Sequence, residues 1–288
     1  MAKVDYKALK AGGLMRQVQK EQFSMRLKTV GGQISAEHLK KIYEIANKYG
    51  QGYVHLTSRQ GVEIPFIKLE DIEEVKREMA TVGLLTGVCG PRVRTITACQ
   101  GSSVCPNGLI ETIPIAEKLD QRYAGLEFPH KFKFGVTGCN NNCLKAEEND
   151  IGIKGGVQPE WQVDPCTFCG LCEAVCPKKA IKVDRDAQTV TFEQDLCNFC
   201  GKCVKSCPNE AWTGKNGYSV YFGGLFGNQI ATGKSIFPMI YDEDVLFKVT
   251  DRTLEFFKKR AKPGERFGLT LKRVGWEEFE KDLQEALK

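Results

Sequence analysis

The first eighty residues alternate between hydrophobic patterns with the period of a strand and patterns with the period of a helix. Ser35 stands where a helix N-cap belongs, and Gly50 stands where that helix should end. The predicted elements are strands at residues 22–29, 53–57 and 62–68 and helices at residues 35–49 and 71–82. Strand, helix, strand, strand, helix is the order of an α+β ferredoxin-like half-domain, which we predict over residues 1–88.

A second unit begins near Arg92, and its pattern is interrupted. Its predicted elements are strands at residues 92–98, 131–137 and 218–224 and helices at residues 108–123, 245–260 and 276–287. Between them, residues 157–215 are rich in Cys and Pro and contain a repeat of about thirty residues. We therefore predict one α/β domain formed by residues 89–156 and 216–288, with residues 157–215 inserted into it.

The repeat has the cysteine spacing of a bacterial ferredoxin with two 4Fe-4S clusters. The two runs are Cys166-x2-Cys169-x2-Cys172-x3-Cys176-Pro177 and Cys197-x2-Cys200-x2-Cys203-x3-Cys207-Pro208. In such runs the fourth cysteine ligates the other cluster. The predicted ligand sets are Cys166, Cys169, Cys172 and Cys207 for one cluster and Cys176, Cys197, Cys200 and Cys203 for the other. Zinc modules use paired Cys or Cys/His sets, which this pattern does not match.

Five of the 13 cysteines lie outside the repeat. Four of them follow two predicted strands as Cys99-x5-Cys105 and Cys139-x3-Cys143, so they can converge on a third cluster. The alternative is two unrelated pairs of core thiols. Cys89 is then left as a structural thiol.

Composition and charge exclude several classes of partner. The net charge is +5, but the basic residues are dispersed among nearly as many acidic ones, so we expect neither nucleic-acid nor membrane binding. There is no apolar stretch of signal-peptide or transmembrane length, which predicts a cytoplasmic protein. In that compartment the thiols would stay reduced, and their clustering favours metal ligation over disulfides.

Ordered motifs along the chain resemble the sirohaem sulfite and nitrite reductases. They are MRLKTVGG (25–32), HLTSRQGVEI (55–64), GPRVRTITAC (90–99) and HKFKFGVTGCNNNC (130–143). The cysteine repeat is similar to the ferredoxin insert of dissimilatory and anaerobic sulfite reductase subunits. The resemblance implies a sirohaem whose iron shares the thiolate of Cys143 with the third 4Fe-4S cluster.

The resemblance also implies roles for individual residues. Four cations would bind the substrate oxyanion: Arg26, Arg94, Lys131 and Lys133. Residues near the macrocycle would be Thr57, Arg59, Gln60 and Asn141. Arg and Lys suit an oxyanion physically, and Lys131 and Lys133 are two apart on a predicted strand and therefore share a face. The alternatives are solvated surface cations and, for Arg59, a turn residue.

The chain departs from single-chain assimilatory members of that family in having one copy of the repeated unit rather than two. We therefore predict a homodimer, or a heterodimer with a related subunit, in which the cations of one protomer meet the cluster cysteines of the other. No segment matches a dinucleotide or phosphate loop, so an external electron-donor protein or subunit is required. The predicted reaction is reduction of sulfite to sulfide, with nitrite reduction or a non-catalytic electron-transfer subunit as alternatives.

Overall fold

The computed structural model describes residues 4–287, which pack around three hydrophobic cores. The first unit contains the elements α1 (Tyr6–Ala11), β1 (Leu14–Arg16), β2 (Gln22–Arg26), α2 (Ala36–Tyr49), β3 (His55–Leu56), β4 (Val62–Lys68) and α3 (Ile72–Ala80). Its strands form an antiparallel sheet in the order β1, β2, β4, β3. The α+β half-domain predicted for this region is confirmed.

Local signals predicted α2 and β4 well. The Ser35 side chain accepts a hydrogen bond from the His38 amide at 3.1 Å, and α2 ends at Gly50. Strand β2 is three residues shorter than predicted because the chain turns away after Arg26, where Lys28 N donates to Leu85 O at 2.9 Å. α1 and β1 were not predicted, since neither is long enough to show a period.

The second unit begins with β5 (Thr97–Ala98), α4 (Thr112–Tyr123), β6 (Phe134–Thr137) and β7 (Ile151–Trp161). β5 and β6 are much shorter than predicted, because residues 92–94 run beside residues 126–132 as isolated bridges instead of a continuous ladder. The long strand β7 was missed. Its sequence IGIKGGVQPEW contains a Gly pair and no alternation, and it is buried on both faces over most of its length.

The Cys-rich segment, which we define as residues 162–211, contains α5 (Leu171–Val175), β8 (Ile181–Asp184), β9 (Thr189–Phe192) and α6 (Lys202–Ser206). β8 and β9 form an antiparallel hairpin. This segment lies between the ends of β7 and the next strand, β10 (Trp212–Phe222), which pair along all eleven residues of each. The predicted insertion boundaries, 157 and 215, are therefore too wide, because the strands of the surrounding sheet extend past both.

The second unit ends with α7 (Glu243–Arg260), α8 (Phe267–Val274) and α9 (Trp276–Leu287). Its mixed sheet has the order β10, β7, β6, β5, in which β5, β6 and β7 are parallel. Short 3-10 turns occur at residues 30–32, 69–71, 146–148 and 194–196. Within residues 4–287, no helix is both long and apolar enough to cross a membrane.

The core of the second unit is built around aromatic side chains. The Phe132 ring lies 5.3 to 5.8 Å from the rings of Phe128, Phe134, Phe257 and Phe267. Aromatic pairs of this kind contribute about 0.5–1.5 kcal/mol each beyond area burial. Since Phe132 separates Lys131 from Lys133, this packing holds both lysines on a rigid base.

Candidate active site and cysteine-lined cavities

A cavity of about 250 Å³, here called the cation cavity, opens where the two large units meet. All four cations that were predicted to bind the substrate line it, together with Thr57 and Arg59. The four are Arg26, Arg94, Lys131 and Lys133. Among the described residues, no carboxylate lines this cavity. The arrangement is that of an anion-binding site, because several positive charges share one space without a neutralising partner in it.

Glu63 and Cys89 orient the side chain of Arg26, and Cys89 also interacts with Arg94. Arg26 donates to Glu63 Oε1 from Nε at 2.8 Å and from Nη2 at 2.5 Å, and its Nη1 donates to Cys89 Sγ at 3.0 Å. Burial lowers the pKa of Arg94, and its interaction with Cys89 opposes that effect. The Nε of Arg94 is buried and has no hydrogen-bond partner among residues 4–287, which fits an acceptor supplied by a bound group.

Arg59 reaches the cavity from the turn before β4. It donates from Nη1 to Asn149 Oδ1 at 2.9 Å and from Nη2 to Thr95 O at 3.2 Å. Burial lowers the pKa of Arg59 to about 10. Arg59 is thus a half-buried charge whose hydrogen bonds tie its turn to the second unit.

Gln60 and Thr57 have partners within the protein. Gln60 donates from Nε2 to Ala98 O at 2.8 Å and accepts from Ala98 N at 3.0 Å, so its amide links the half-domain to β5. Thr57 Oγ1 accepts from Gly61 N at 3.0 Å within its own turn. Thr57 lines the cation cavity, whereas Gln60 does not.

Lys131 and Lys133 precede β6 rather than lying on it, yet both line the cation cavity as expected. Lys133 is 8% exposed, and its Nζ donates to Phe226 O at 3.1 Å. Burial lowers the pKa of Lys133 to about 8, and repulsion from Arg59 acts in the same direction. A lysine with such a pKa can both attract an anion and release a proton near neutral pH.

Sequence reasoning missed a buried ion pair that supports the lysines. Arg266 Nη2 donates to Asp150 Oδ1 at 3.0 Å and to Oδ2 at 2.9 Å, and Asp150 Oδ2 also accepts from Lys133 N at 2.9 Å. Burial raises the pKa of Asp150, and Arg266 opposes that rise. The partners are far apart along the chain, so no local spacing could have revealed them.

The cysteines outside the repeat that were predicted to share a cluster, here called the central set, lie on the loops that follow β5 and β6. They are Cys99, Cys105, Cys139 and Cys143. Burial raises the pKa of Cys139, and repulsion from the other three thiols adds to the rise, so the four lie near one another. Gly138 N donates to Cys99 Sγ at 3.0 Å. A neighbouring glycine allows the close packing of this loop: a Cβ on Gly155 would lie 2.3 Å from Gly138 O.

Cys143 lines a second cavity of about 300 Å³, here called the Cys143 cavity. This cavity and the cation cavity share Ser58, Arg59 and Lys133 in their walls, so the cations and Cys143 of one chain border adjoining spaces. Asn141 is exposed on the same loop and lines neither cavity. A partner chain is therefore not needed to bring the cations close to Cys143, and the predicted division of the site between two protomers stays a prediction.

The eight cysteines of the Cys-rich segment divide between two cavities of nearly equal size. The outer set, Cys166, Cys169, Cys172 and Cys207, lines a small cavity of about 20 Å³. The inner set, Cys176, Cys197, Cys200 and Cys203, lines a cavity of about 20 Å³ as well. These are the two predicted ligand sets. Within residues 4–287, no three Cys, His, Asp or Glu side chains are close enough to hold a single metal ion.

Backbone amides point at the sulfurs of both sets. Phe168 N donates to Cys166 Sγ at 3.4 Å, and Phe199 N donates to Cys197 Sγ at 3.3 Å. Phe168 and Phe199 occupy matching positions of the two halves, and both have a positive φ. The same is true of Gly170 and Gly201. Each half of the repeat thus folds in the same unusual backbone conformation around its cavity, which fits a cubane with thiolate ligands that accept N–H bonds.

The inner set lies against the loops of the central set. Asn140 Nδ2 donates to Asn198 O at 2.5 Å, which joins a loop with two central cysteines to a loop with inner ones. Lys205 Nζ donates to Pro106 O at 2.8 Å. The three sets therefore follow the order outer, inner, central.

Two family models match this chain. The model described as the nitrite/sulfite reductase ferredoxin-like half domain matches residues 15–82. The model described as the nitrite and sulphite reductase 4Fe-4S domain matches residues 89–288, which is more than half of the chain.

Two curated relatives from Methanocaldococcus jannaschii are similar over most of the chain. The coenzyme F420-dependent sulfite reductase is 37% identical over 260 residues, covering 90% of this chain and 41% of the relative. A protein named there as uncharacterized is 32% identical over 280 residues, covering 97% of this chain and 96% of the relative. The chain thus spans less than half the length of the first and nearly all of the second.

Among solved structures, dissimilatory sulfite reductase I is similar with a TM-score of 0.76 at 22% identity. The match covers 91% of this chain and 69% of that chain. At this identity the likeness establishes a common fold.

Proposed function

Because this chain belongs to the nitrite and sulfite reductase family, we propose that it reduces sulfite to sulfide at a sirohaem coupled to a 4Fe-4S cluster. The observation that carries the proposal is the cation cavity, in which Arg26, Arg94, Lys131 and Lys133 surround one space beside Cys143. The central set would hold the cluster, and Cys143 would provide the thiolate shared with the haem iron. The bound sirohaem would supply the iron at which the oxyanion is reduced.

The residues of the cation cavity would bind the anion and deliver protons. Reduction of sulfite to sulfide takes six electrons and removes three oxygens as water, so protons must reach the oxygens as they leave. Arg26 and Arg94 remain charged and would orient the oxyanion by hydrogen bonds. Lys133, with a pKa near 8, is placed to donate a proton and to recover it. The half-buried guanidinium groups of Arg59 and Arg94 would also suit the carboxylates of a sirohaem.

We propose that the outer and inner sets each hold a 4Fe-4S cluster, which with the central set makes three clusters per chain. Electrons from an external donor protein or subunit would pass from the outer to the inner and then to the central cluster. The hydrogen bond between Asn140 and Asn198 supports this order, because it links the inner and central loops directly. Keeping twelve such thiols reduced suits a cytoplasmic location.

Nitrite is the second candidate substrate, because the family description names both anions and the same cations suit either. Steady-state rates with sulfite and with nitrite, measured on anaerobic full-length protein with a reduced viologen donor, would separate the two. We expect a higher kcat/KM for sulfite than for nitrite. A visible spectrum with cluster absorption and no sirohaem bands would instead identify a non-catalytic electron-transfer subunit.

We also propose that two chains assemble, as a homodimer or with a related subunit. Because the cations and Cys143 of one chain already border adjoining cavities, a site that draws its cations and its central cysteines from different protomers is the second arrangement to be tested. Co-refolding Lys133→Met with Cys143→Ser chains tests this division. In a homodimer with shared sites, mixed dimers have one intact site, so about a quarter of wild-type activity should return. If no activity returns in mixed dimers whose formation is verified, each chain forms its site alone.

A further inference from the structure

One of the positions at which the walls of the outer and inner cavities differ carries a buried indole in the outer wall. Every residue of the first half has its counterpart 31 positions later, as from Cys166 to Cys197. By that offset Trp212 is the counterpart of Ile181, and each follows the Cys-Pro pair of its half by the same distance. Trp212 lines the outer cavity, and Ile181 lines the inner cavity. The outer wall thus has an indole N–H donor where the inner wall has an aliphatic side chain.

The indole N–H of Trp212 is buried and lacks a partner. Trp212 is 2% exposed, and its Nε1 has no hydrogen-bond acceptor among the described residues. Although no acceptor meets hydrogen-bond geometry, Trp212 lies close enough to Cys172 to oppose the rise in that thiol's pKa caused by burial. A buried N–H without an acceptor carries a desolvation cost, which a sulfur in the outer cavity would relieve.

The position of Trp212 is fixed by its neighbours. Its ring meets Phe192 edge to face at a centroid distance of 5.5 Å. On the other side it pairs with Trp161 across the ladder of β7 and β10. The side chain therefore cannot turn easily toward solvent, and its N–H remains at the wall of the outer cavity.

We propose that Trp212 donates its indole N–H to a sulfur of the cluster held by the outer set and thereby raises the reduction potential of that cluster. The inference rests on the proposed binding of a 4Fe-4S cluster by each set. Reduction adds one electron from the donor to the cluster and makes it more negative. A hydrogen bond to its sulfur stabilises the more negative form more strongly. Ile181 offers the inner cluster no such bond.

Surface charge is the main competing influence. Lys178 and Lys202 line the inner cavity and favour reduction of the inner cluster. Both are exposed, so solvent and salt screen their effect, whereas the N–H of Trp212 is buried. Titration at about 1 M salt, where the screening length falls to about 3 Å, therefore isolates the contribution of Trp212.

The test is an EPR-monitored redox titration of the full chain, with dithionite as reductant, on wild type, Trp212→Phe and Trp161→Phe. Phenylalanine keeps an aromatic ring beside Phe192 but has no N–H. We expect Trp212→Phe to make one cluster about tenfold harder to reduce, which is about 59 mV for one electron, and to leave the others unchanged. Trp161→Phe is the matched control, since it removes a neighbouring buried N–H that does not line the cavity. It should shift nothing.

Two outcomes would overturn the inference. An unchanged potential in Trp212→Phe, with full iron content, would contradict it while leaving the proposed clusters intact. If Trp212→Phe loses a cluster, the titration of that variant is replaced by pulsed EPR on wild-type protein whose tryptophan indoles carry 15N. Nitrogen coupling to the outer cluster is then expected, and its absence would refute the hydrogen bond. Wild-type protein without the clusters of the Cys-rich segment would refute the proposed function as well, which distinguishes the two failures.

Discussion

The cation cavity and the Cys-rich segment are assembled in opposite ways. The eight cysteines of the segment come from two local repeats whose backbone follows the same course twice. The cation cavity takes Arg26 from the half-domain and Arg94 and Lys133 from the second unit, with Arg266 supporting it from the start of α8. The cysteine sets of the segment depend on the spacing of cysteines along the chain, whereas the cation cavity depends on packing between residues far apart in sequence. Substitutions should therefore have local effects in the segment and distant effects around the cavity.

The largest difference in the rate of sulfite reduction is expected between Cys143→Ser and Cys169→Ser, which change two exposed cysteines. Cys143→Ser should lower sulfite reduction more than about 100-fold with any donor, because it removes the proposed link between cluster and haem. Cys169→Ser should remove the outer cluster but retain turnover with a small viologen reductant, which can reach the centre directly. Equal loss in both variants under viologen would contradict the separate roles.

Asp150→Asn should reduce stability sharply. Removing one partner of a buried ion pair typically costs about 3–5 kcal/mol, because Arg266 would be left with an uncompensated charge. Asp184→Asn in the hairpin of the Cys-rich segment is the control, since Asp184 is exposed and the amide oxygen can still accept from Asp186 N. Anaerobic guanidinium denaturation measures both free energies of unfolding. Similar values for the two variants would show that Asp150 does not support the cavity.

Lys133→Met should lower kcat by roughly 100-fold, the scale seen when one preorganised donor to a developing charge is lost. Lys68→Met, an exposed lysine of the half-domain, should leave kcat unchanged. Rates at saturating sulfite with a viologen donor provide the comparison. A Lys133 variant with normal kcat and intact cofactors would exclude it as a proton donor.

The pH dependence of kcat/KM should follow the charge of Lys133. Lys133 is charged below its pKa of about 8 and neutral above it, so kcat/KM for the anion should fall as the pH rises through 8. Arg59, whose pKa is lowered to about 10, stays charged through that range. In Lys133→Arg the activity that remains should no longer fall there. A fall at the same pH in that variant would assign it to another group.

The smallest effect is expected from Cys89→Ala. Arg26 would lose one hydrogen bond but keep both bonds to Glu63, so we expect about 1 kcal/mol of weaker anion binding, or about a fivefold higher KM. The kcat and the iron content should not change. Cys89→Ser should recover part of the loss, because a hydroxyl can accept from Arg26. An unchanged KM in Cys89→Ala would show that Cys89 only fills space.

The contrast between the two regions also explains what could be predicted from the sequence. Spacing identified the sets around the outer and inner cavities, because their ligands are close along the chain. The resemblance to a family identified the cations, and the structure shows that they share one cavity. Asp150 and Arg266 escaped detection, since their contact exists only in three dimensions. Strand β7 was not predicted, because it contains a Gly pair and is buried on both faces. The boundaries predicted for the inserted segment therefore included parts of β7 and β10.

The most direct test of the central claim is quantitation of iron, acid-labile sulfide and extracted sirohaem in anaerobically purified full-length protein. We predict about 13 iron atoms per chain, of which twelve lie in three cubanes and one in a sirohaem. We further predict that adding sulfite shifts the sirohaem absorption in wild type, and that Lys133→Met needs a higher sulfite concentration for the same shift. About eight iron atoms per chain and no extractable sirohaem would contradict the account and leave a two-cluster electron carrier.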